Sequence, residues 1–339
     1  MAGPSLHDVT LDANWLPHTY DAAGSALTFV NLSRAVRDEL MFLSDEHFAG
    51  RFAKASFPAD AVAGAVSEAG QAPIHFIFHT SFCCSTLLAR ALDVPGKSGV
   101  LKEPDVLINV ANRMIRSDDA ANRKRLELVL RLLERPAAAG EAVIVKPSNF
   151  GNRLAELALA SRPQARAVLL YSDVGTLLRS LLKRGMFGRI FGRRLFTQLL
   201  GWSPIDFGYR GEQLLQLTDV QVIALAWLMQ VAHFDALAKA FGERVMLLDS
   251  ADVLGDPSGA VGRAQALFGL GLDAGEVDSI ATGPAFARHS KFADRDYDSK
   301  AREEEHRSAS EAHSDEIDMV VKWIEVVAAE VGVPLRPGR

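Results

Sequence analysis

Residues 73–92, PIHFIFHTSFCCSTLLARAL, change character twice within one short segment. Positions 74–78 are an apolar, β-favouring run, Thr80 to Cys84 are mostly small or hydroxyl-bearing, and positions 86–92 carry apolar residues at helical spacing. The segment predicts a buried strand, a tight turn and a helix. Free backbone N–H groups at the start of such a helix, helped by the hydroxyls of Ser85 and Thr86, can hold a phosphate or a sulfate. The Gly-rich signature of a nucleoside-triphosphate loop is missing, so the segment also reads as an ordinary strand-to-helix connection.

The same alternation recurs downstream. Short apolar runs at 99–101, 142–145, 166–171 and 244–248 predict four more strands. Helices are expected from Pro104 through Val110, over 123–134, through Leu154 and Leu159, from Ser172 or Asp173 to Gly185, over 218–241, from Pro257 to Phe268 and over 317–329. Strands and helices in this order predict an α/β fold: a mostly parallel, doubly wound sheet with helices on both faces and added helical cap segments. Residues 1–70 read as an N-terminal extension packed on an α/β domain spanning 71–339. They offer one strand near 27–30 and one helix from the cap Ser33 to about Phe48. The isolated His7, His18 and His47 suggest packing rather than chemistry.

With 339 residues and 48% hydrophobic content the chain can bury a sizeable core. Its two cysteines, adjacent at 83 and 84, make neither a disulfide framework nor a zinc site, and they point to a reducing cytoplasm. The scattered histidines favour no metal. There is no signal segment and no uninterrupted apolar stretch of membrane-spanning length. A net charge of −5 argues against broad nucleic-acid binding.

Chemistry concentrates at the strand ends. The loop Thr80, Ser81, Phe82, Cys83, Cys84, Ser85, Thr86 ends the first strand, Lys102 and Glu103 the second, Lys146 the third, and Asp173 with Ser180 follow the fourth. Parallel sheets place such ends on one edge. No acidic residue occurs over 174–205, whereas Arg179, Lys183, Arg184, Arg189, Arg193 and Arg194 are basic. A one-sign run is commonly a solvated face, but next to a phosphate cradle it also suits a multiply charged anion. Phe187, Ile190, Phe191 and Leu195 in the same run could equally line an apolar acceptor pocket.

From residue 73 onward the chain resembles the P-loop-type sulfotransferases, in particular the bacterial branch related to heparan and tyrosylprotein sulfotransferases. Ser85-Thr86-Leu87-Leu88 stands where that family has Thr-Thr-Leu-Leu after Pro-Arg-Ser-Gly. Ser81, Phe82, Cys83 and Cys84 stand in place of those four residues. Asp173 and Ser180 keep the register of the second phosphate motif, Arg-Asp-Pro and a following serine, with Ser172 in the arginine's place. Residues 247–256 are similar to the family's Tyr-Glu-Asp-Leu stretch.

The resemblance implies a P-loop-like fold, 3'-phosphoadenosine 5'-phosphosulfate as donor, and in-line sulfuryl transfer to a small-molecule, glycan or peptide acceptor. It implies Glu103 as the general base and Lys146 as the cation on the leaving phosphate, with His79 as the alternative base. The loop residues, Asp173, Ser180 and Arg184 or Arg189 would hold the donor. Residues 289–307, with Lys291, would form a late loop over the nucleotide. Two other classes remain open. A P-loop kinase is disfavoured because neither Gly-Lys-Ser/Thr nor a magnesium-holding acidic strand end follows the cradle. An anion-binding protein that has lost activity is suggested by the replaced arginines and glycine. Cys83 or Cys84 as a nucleophile lacks a matched base, which leaves small-residue packing as their role.

Overall fold

The structure is a computed structural model that describes residues 3–66, 71–286 and 313–338. Two sheets organise it. The first is antiparallel, in the order β1 (Trp15–Tyr20), β2 (Ala26–Asn31), β3 (Lys54–Pro58). The second is wholly parallel and contains β4 (Ile74–His79), β5 (Ser98–Lys102), β6 (Ala142–Lys146), β7 (Ala167–Tyr171) and β8 (Val245–Asp249) in the order β5-β6-β4-β7-β8. The chain first winds to one side of β4 and then crosses to the other, so the strand order reverses at β4. Ligands of open α/β sheets bind at that reversal, outside the carboxyl ends of the strands.

Both faces of the parallel sheet are covered, as the nearly continuous apolar strands require. Alternate residues divide between two cores. Phe76, Phe78, Leu101, Val143, Val145 and Leu169 pack with the N-terminal sheet and the Asp105–Arg116 and Ala120–Leu133 helices. Ile77, Val100, Ile144, Val168, Leu170 and Leu248 face the Ser85–Ala91 and Pro257–Phe268 helices. A third core joins the Val174–Leu182, Met186–Leu200, Asp219–Phe241 and Ser314–Glu330 helices. Among the described residues one helix, Asp219–Phe241, is long and apolar enough to cross a membrane, and it lies mostly buried within this core.

The predicted strands and helices of the α/β part are present with small shifts of boundary. Asp173, not Ser172, caps the Val174–Leu182 helix, accepting from the Thr176 N–H at 2.9 Å. The N-terminal reading needs correction. The expected helix from Ser33 to Phe48 is two short ones, Arg34–Glu39 and Asp45–Phe48. Between them Leu43 donates its N–H to the Lys102 carbonyl and accepts from the Asp105 N–H, at 2.8 and 3.2 Å, which holds that link against the end of β5. Buried Leu40 and Leu43 anchor the link, and the tertiary contact overrides the helical pattern.

The Met186–Leu200 helix rests on its neighbours through glycines. A Cβ at Gly188 would lie 2.0 Å from the Leu181 carbonyl oxygen, and one at Gly192 would lie 2.2 Å from Ile223 Cγ1. Because the first obstacle is backbone, no rotamer relieves it. Gly188→Ala is therefore expected to lower unfolding free energy by about 1–3 kcal/mol, despite alanine's better helix propensity. Denaturant unfolding checks this, and an unchanged midpoint would show that the helix does not seat so closely.

Candidate active site

The parallel register brings the ends of four strands to one edge, pairing Lys102 with Lys146 and His79 with Leu170. The loop after β4 has a strained backbone. Ser81, Phe82 and Cys84 have φ of 80, 48 and 63°, left-handed values that cost a residue with a Cβ roughly 1–2 kcal/mol each. Cys84 stands at the N-cap of the Ser85–Ala91 helix, and its side chain makes no capping bond to that helix among the described residues. Its first-turn amides are thus left for another acceptor, beside the half-buried Thr86 and buried Ser85.

A buried amide network holds the loop from behind. Asn152 Nδ2 donates to the His79 carbonyl at 3.0 Å and to Gln230 Oε1 at 3.1 Å, and Gln230 Nε2 donates to the Thr80 carbonyl at 3.4 Å. Neither amide was identified from sequence. A signal exists for Gln230, the lone amide in the long apolar run of its helix; Asn152 has none.

Next to the loop lies the ion pair of Glu103 and Lys146. Glu103 has φ of 53° although it precedes Pro104, a combination that persists only where the surroundings impose it. Its N–H donates to the Lys146 carbonyl at 2.6 Å, and its carboxylate receives the Lys146 ammonium. Lys146 is fully buried, with its Nζ 5.2 Å from the centre of the Phe42 ring. Phe42, from the link between the two short N-terminal helices, thus walls the lysine pocket; no local sequence pattern marked it. Lys102 turns away, as adjacent strand residues do, and donates from Nζ to the Asp38 carbonyl at 3.1 Å. Burial pushes that ammonium down to about 8.

His79 lies 3.7 Å from the Glu103 carboxylate through Nε2, but its ring is fully engaged. Nε2 donates to the Pro147 carbonyl at 3.1 Å, and Nδ1 accepts from the Ser81 N–H at 3.2 Å. Burial and the Lys146 charge hold it well below the usual histidine range, so it stays neutral and fixes the loop. Cys83 donates to the Leu170 carbonyl at 3.4 Å, and burial pushes its thiol up to about 12. Burial also raises Cys84. These are packing residues rather than nucleophiles.

Of the donor-binding candidates, Asp173 serves as the helix cap and Ser180 lies half-buried on that helix. Ser172 is buried, its carbonyl accepting from Trp227 Nε1 at 2.8 Å, while its hydroxyl has no partner among the described residues. Arg184 stacks over Phe82, 4.8 Å from the ring centre, which brings a guanidinium to the loop. Arg189 is drawn instead to Asp219, 3.5 Å away, which also holds Arg193. Lys291 and the stretch 289–307 lie outside the described residues. Where the N-terminal part meets the start of the Asp105–Arg116 helix, His18, Asp45 and Asp105 cluster; His18 Nε2 is 2.9 Å from Asp45, which also pairs with Lys54.

No known family pattern and no curated protein matches the chain. Among solved structures it is similar to the sulfotransferase domain of the curacin biosynthetic pathway, with 12% identity and a TM-score of 0.41 over 64% of this chain and 80% of that one. A sulfotransferase of Mycobacterium tuberculosis shares 18% identity, with a TM-score of 0.41 over 63% and 71% of the two chains. One from Alicyclobacillus acidocaldarius shares 15%, with a TM-score of 0.37 over 66% and 97%.

Proposed function

We propose that this chain is a sulfotransferase that moves a sulfuryl group from 3'-phosphoadenosine 5'-phosphosulfate to an acceptor hydroxyl or amine. One observation carries the reading: a glutamate in a left-handed backbone, held on a fully buried lysine, beside a strained and uncapped loop at the reversal of a parallel sheet. Such transfer needs anion-holding donors, a cation for charge developing on the leaving phosphate, and a base for the acceptor's proton.

The residues present fit that donor. The uncapped first-turn amides with Ser85 and Thr86 would take the phosphosulfate. Ser180 and Arg184 would take the remaining phosphate, Arg184 supplying on Phe82 the charge that Phe82 and Ser172 lack. Bound there, the donor supplies the sulfuryl group and leaves as 3',5'-adenosine bisphosphate. Glu103 accepts the acceptor's proton as the acceptor oxygen or nitrogen bonds to sulfur and the bond from sulfur to the phosphate oxygen breaks. Lys146, buried on Glu103, would offset the charge developing on the departing phosphate through its field rather than by direct contact.

Ligand-dependent thermal shifts test this reading. Stabilisation by 3',5'-adenosine bisphosphate and not by ATP is expected; the reverse would favour a kinase. No response would favour a lapsed protein, the reading that the replacement of both motif arginines supports. Arg184→Ala should weaken the bisphosphate about 10- to 150-fold, the equivalent of 1.5–3 kcal/mol for a charge-assisted contact. Arg189→Ala, paired to Asp219, should weaken it far less. Equal losses would return Arg189 to the site.

A further inference from the structure

The start of the Met186–Leu200 helix exposes three large apolar side chains within five positions. Met186, Phe187 and Ile190 are 70, 63 and 50% exposed, while Gly188, Gly192, Leu195, Phe196 and Leu199 of the opposite face are buried. An apolar cluster of this kind on a surface otherwise rich in charge marks a contact surface. Cations bracket it along the chain. Lys183 and Arg184 precede it, and Arg193 and Arg194 follow Ile190 by one helical turn on the same exposed face. Among the described residues Lys183, Arg184 and Arg194 meet no carboxylate within 4 Å; Arg193 shares Asp219 with Arg189. Residues 174–205 contain no acid at all in a chain of net charge −5, so the remainder is strongly anionic.

We infer that this face docks on an anionic lipid bilayer, with Met186, Phe187 and Ile190 entering the headgroup–acyl boundary and Lys183 and Arg194 on lipid phosphates. The combination selects that occupant. An apolar tip flanked by cations matches a surface that is hydrophobic beneath and negative on top. A second copy of this chain would bring the same positive charge against it, because a two-fold contact sets like patches face to face. The remainder of the chain, net negative, adds no overall attraction to the same bilayer. Phe191 of the same helix meets Phe82 of the loop with ring centres 5.8 Å apart, so docking would bring the candidate site close to the lipid surface. The inference does not depend on the reaction proposed above.

Co-sedimentation of the full chain with vesicles tests it, using phosphatidylcholine alone or with about 30% phosphatidylglycerol. Binding to the mixed vesicles only is expected, weakened at least tenfold in 0.5 M salt. Phe187→Ser with Ile190→Ser, both at exposed positions and so neutral to folding, should lower the affinity at least tenfold. Arg194→Glu should do so as well, since each cation near such a surface is worth roughly fivefold. Equal binding to both vesicles, no binding, or insensitivity to both variants would overturn the assignment. So would a dimer, detected by sedimentation velocity without lipid, that the serine variant dissociates.

Discussion

Glu103→Gln is expected to lower turnover by a factor of about 10² to 10⁴ while leaving nucleotide affinity nearly unchanged. That range is the usual contribution of a positioned base. The glutamine is the informative variant because its carbonyl oxygen still accepts a hydrogen bond from the Lys146 ammonium, which is otherwise shut in by protein and the Phe42 ring. The fold should therefore survive. Glu103→Ala strands that buried cation instead, and removing one partner of a buried pair costs about 3–5 kcal/mol. A lost activity there would confuse misfolding with chemistry. Lys146→Ala should lower both turnover and nucleotide binding, since the same ammonium serves the leaving phosphate. If Glu103→Gln proved as active as the parent toward a confirmed acceptor, the glutamate would have no part in proton transfer. His79 would not be a ready substitute, because both its ring nitrogens are already bonded within the protein.

What was legible in the sequence was what repeats locally. Strand β4, its loop and helix, and the polar residues ending β5, β6 and β7 are each announced by a few consecutive residues, and parallel topology does the rest. The meeting of Glu103 with Lys146 follows from two strand ends in neighbouring register. The opposite turn of Lys102 follows from strand alternation. The misses were of two physical kinds. Strand β1 carries Pro17 in its interior, which ordinarily argues against a strand; here it sits on an outer strand at a shift in register with β2. Phe42, Asn152 and Gln230 act through contacts with residues distant in the chain. No local period encodes such contacts. The loop departures also acquire a meaning that sequence could not give. Cys84, where the resemblance has a glycine, takes a left-handed backbone that glycine would adopt without strain, and Phe82 supports a guanidinium although it carries none.

Lowering the pH from 7.5 to 5 is expected to destabilise the fold by several kcal/mol, through histidines buried in the neutral form. Burial and the nearby Arg166 charge push His75 down to about 4, with its Nδ1 accepting from the Arg166 N–H at 3.2 Å. Burial pushes His233 down to about 4 as well, where Nε2 donates to the Asn152 carbonyl at 3.0 Å. His79 shifts in the same direction for the reasons given above. For a base whose folded value is depressed, the unfolded chain takes up the proton first, near 6.5. Stability is full above that value and falls as the pH drops from about 6.5 toward 4. His75 and His233 each account for about 2 kcal/mol at pH 5, and His79 adds to the loss. Asp93 works against them. Burial and the neighbouring Asp38 carboxylate push it up to about 6, so the folded state takes up that proton and offsets part of the effect. The net loss should lower the melting temperature by roughly 5 to 10 °C, with proton uptake on unfolding over the same window. Two of the three histidines lie on the loop network, His79 directly and His233 through Asn152. Nucleotide affinity should therefore fall alongside stability. Combining His75→Gln with His233→Gln should flatten the profile between pH 6.5 and 5 whatever its effect at neutral pH. A melting temperature that stayed constant from pH 7.5 to 5 in the parent would mean that these rings reach solvent, and the closed network behind the loop would have to be abandoned.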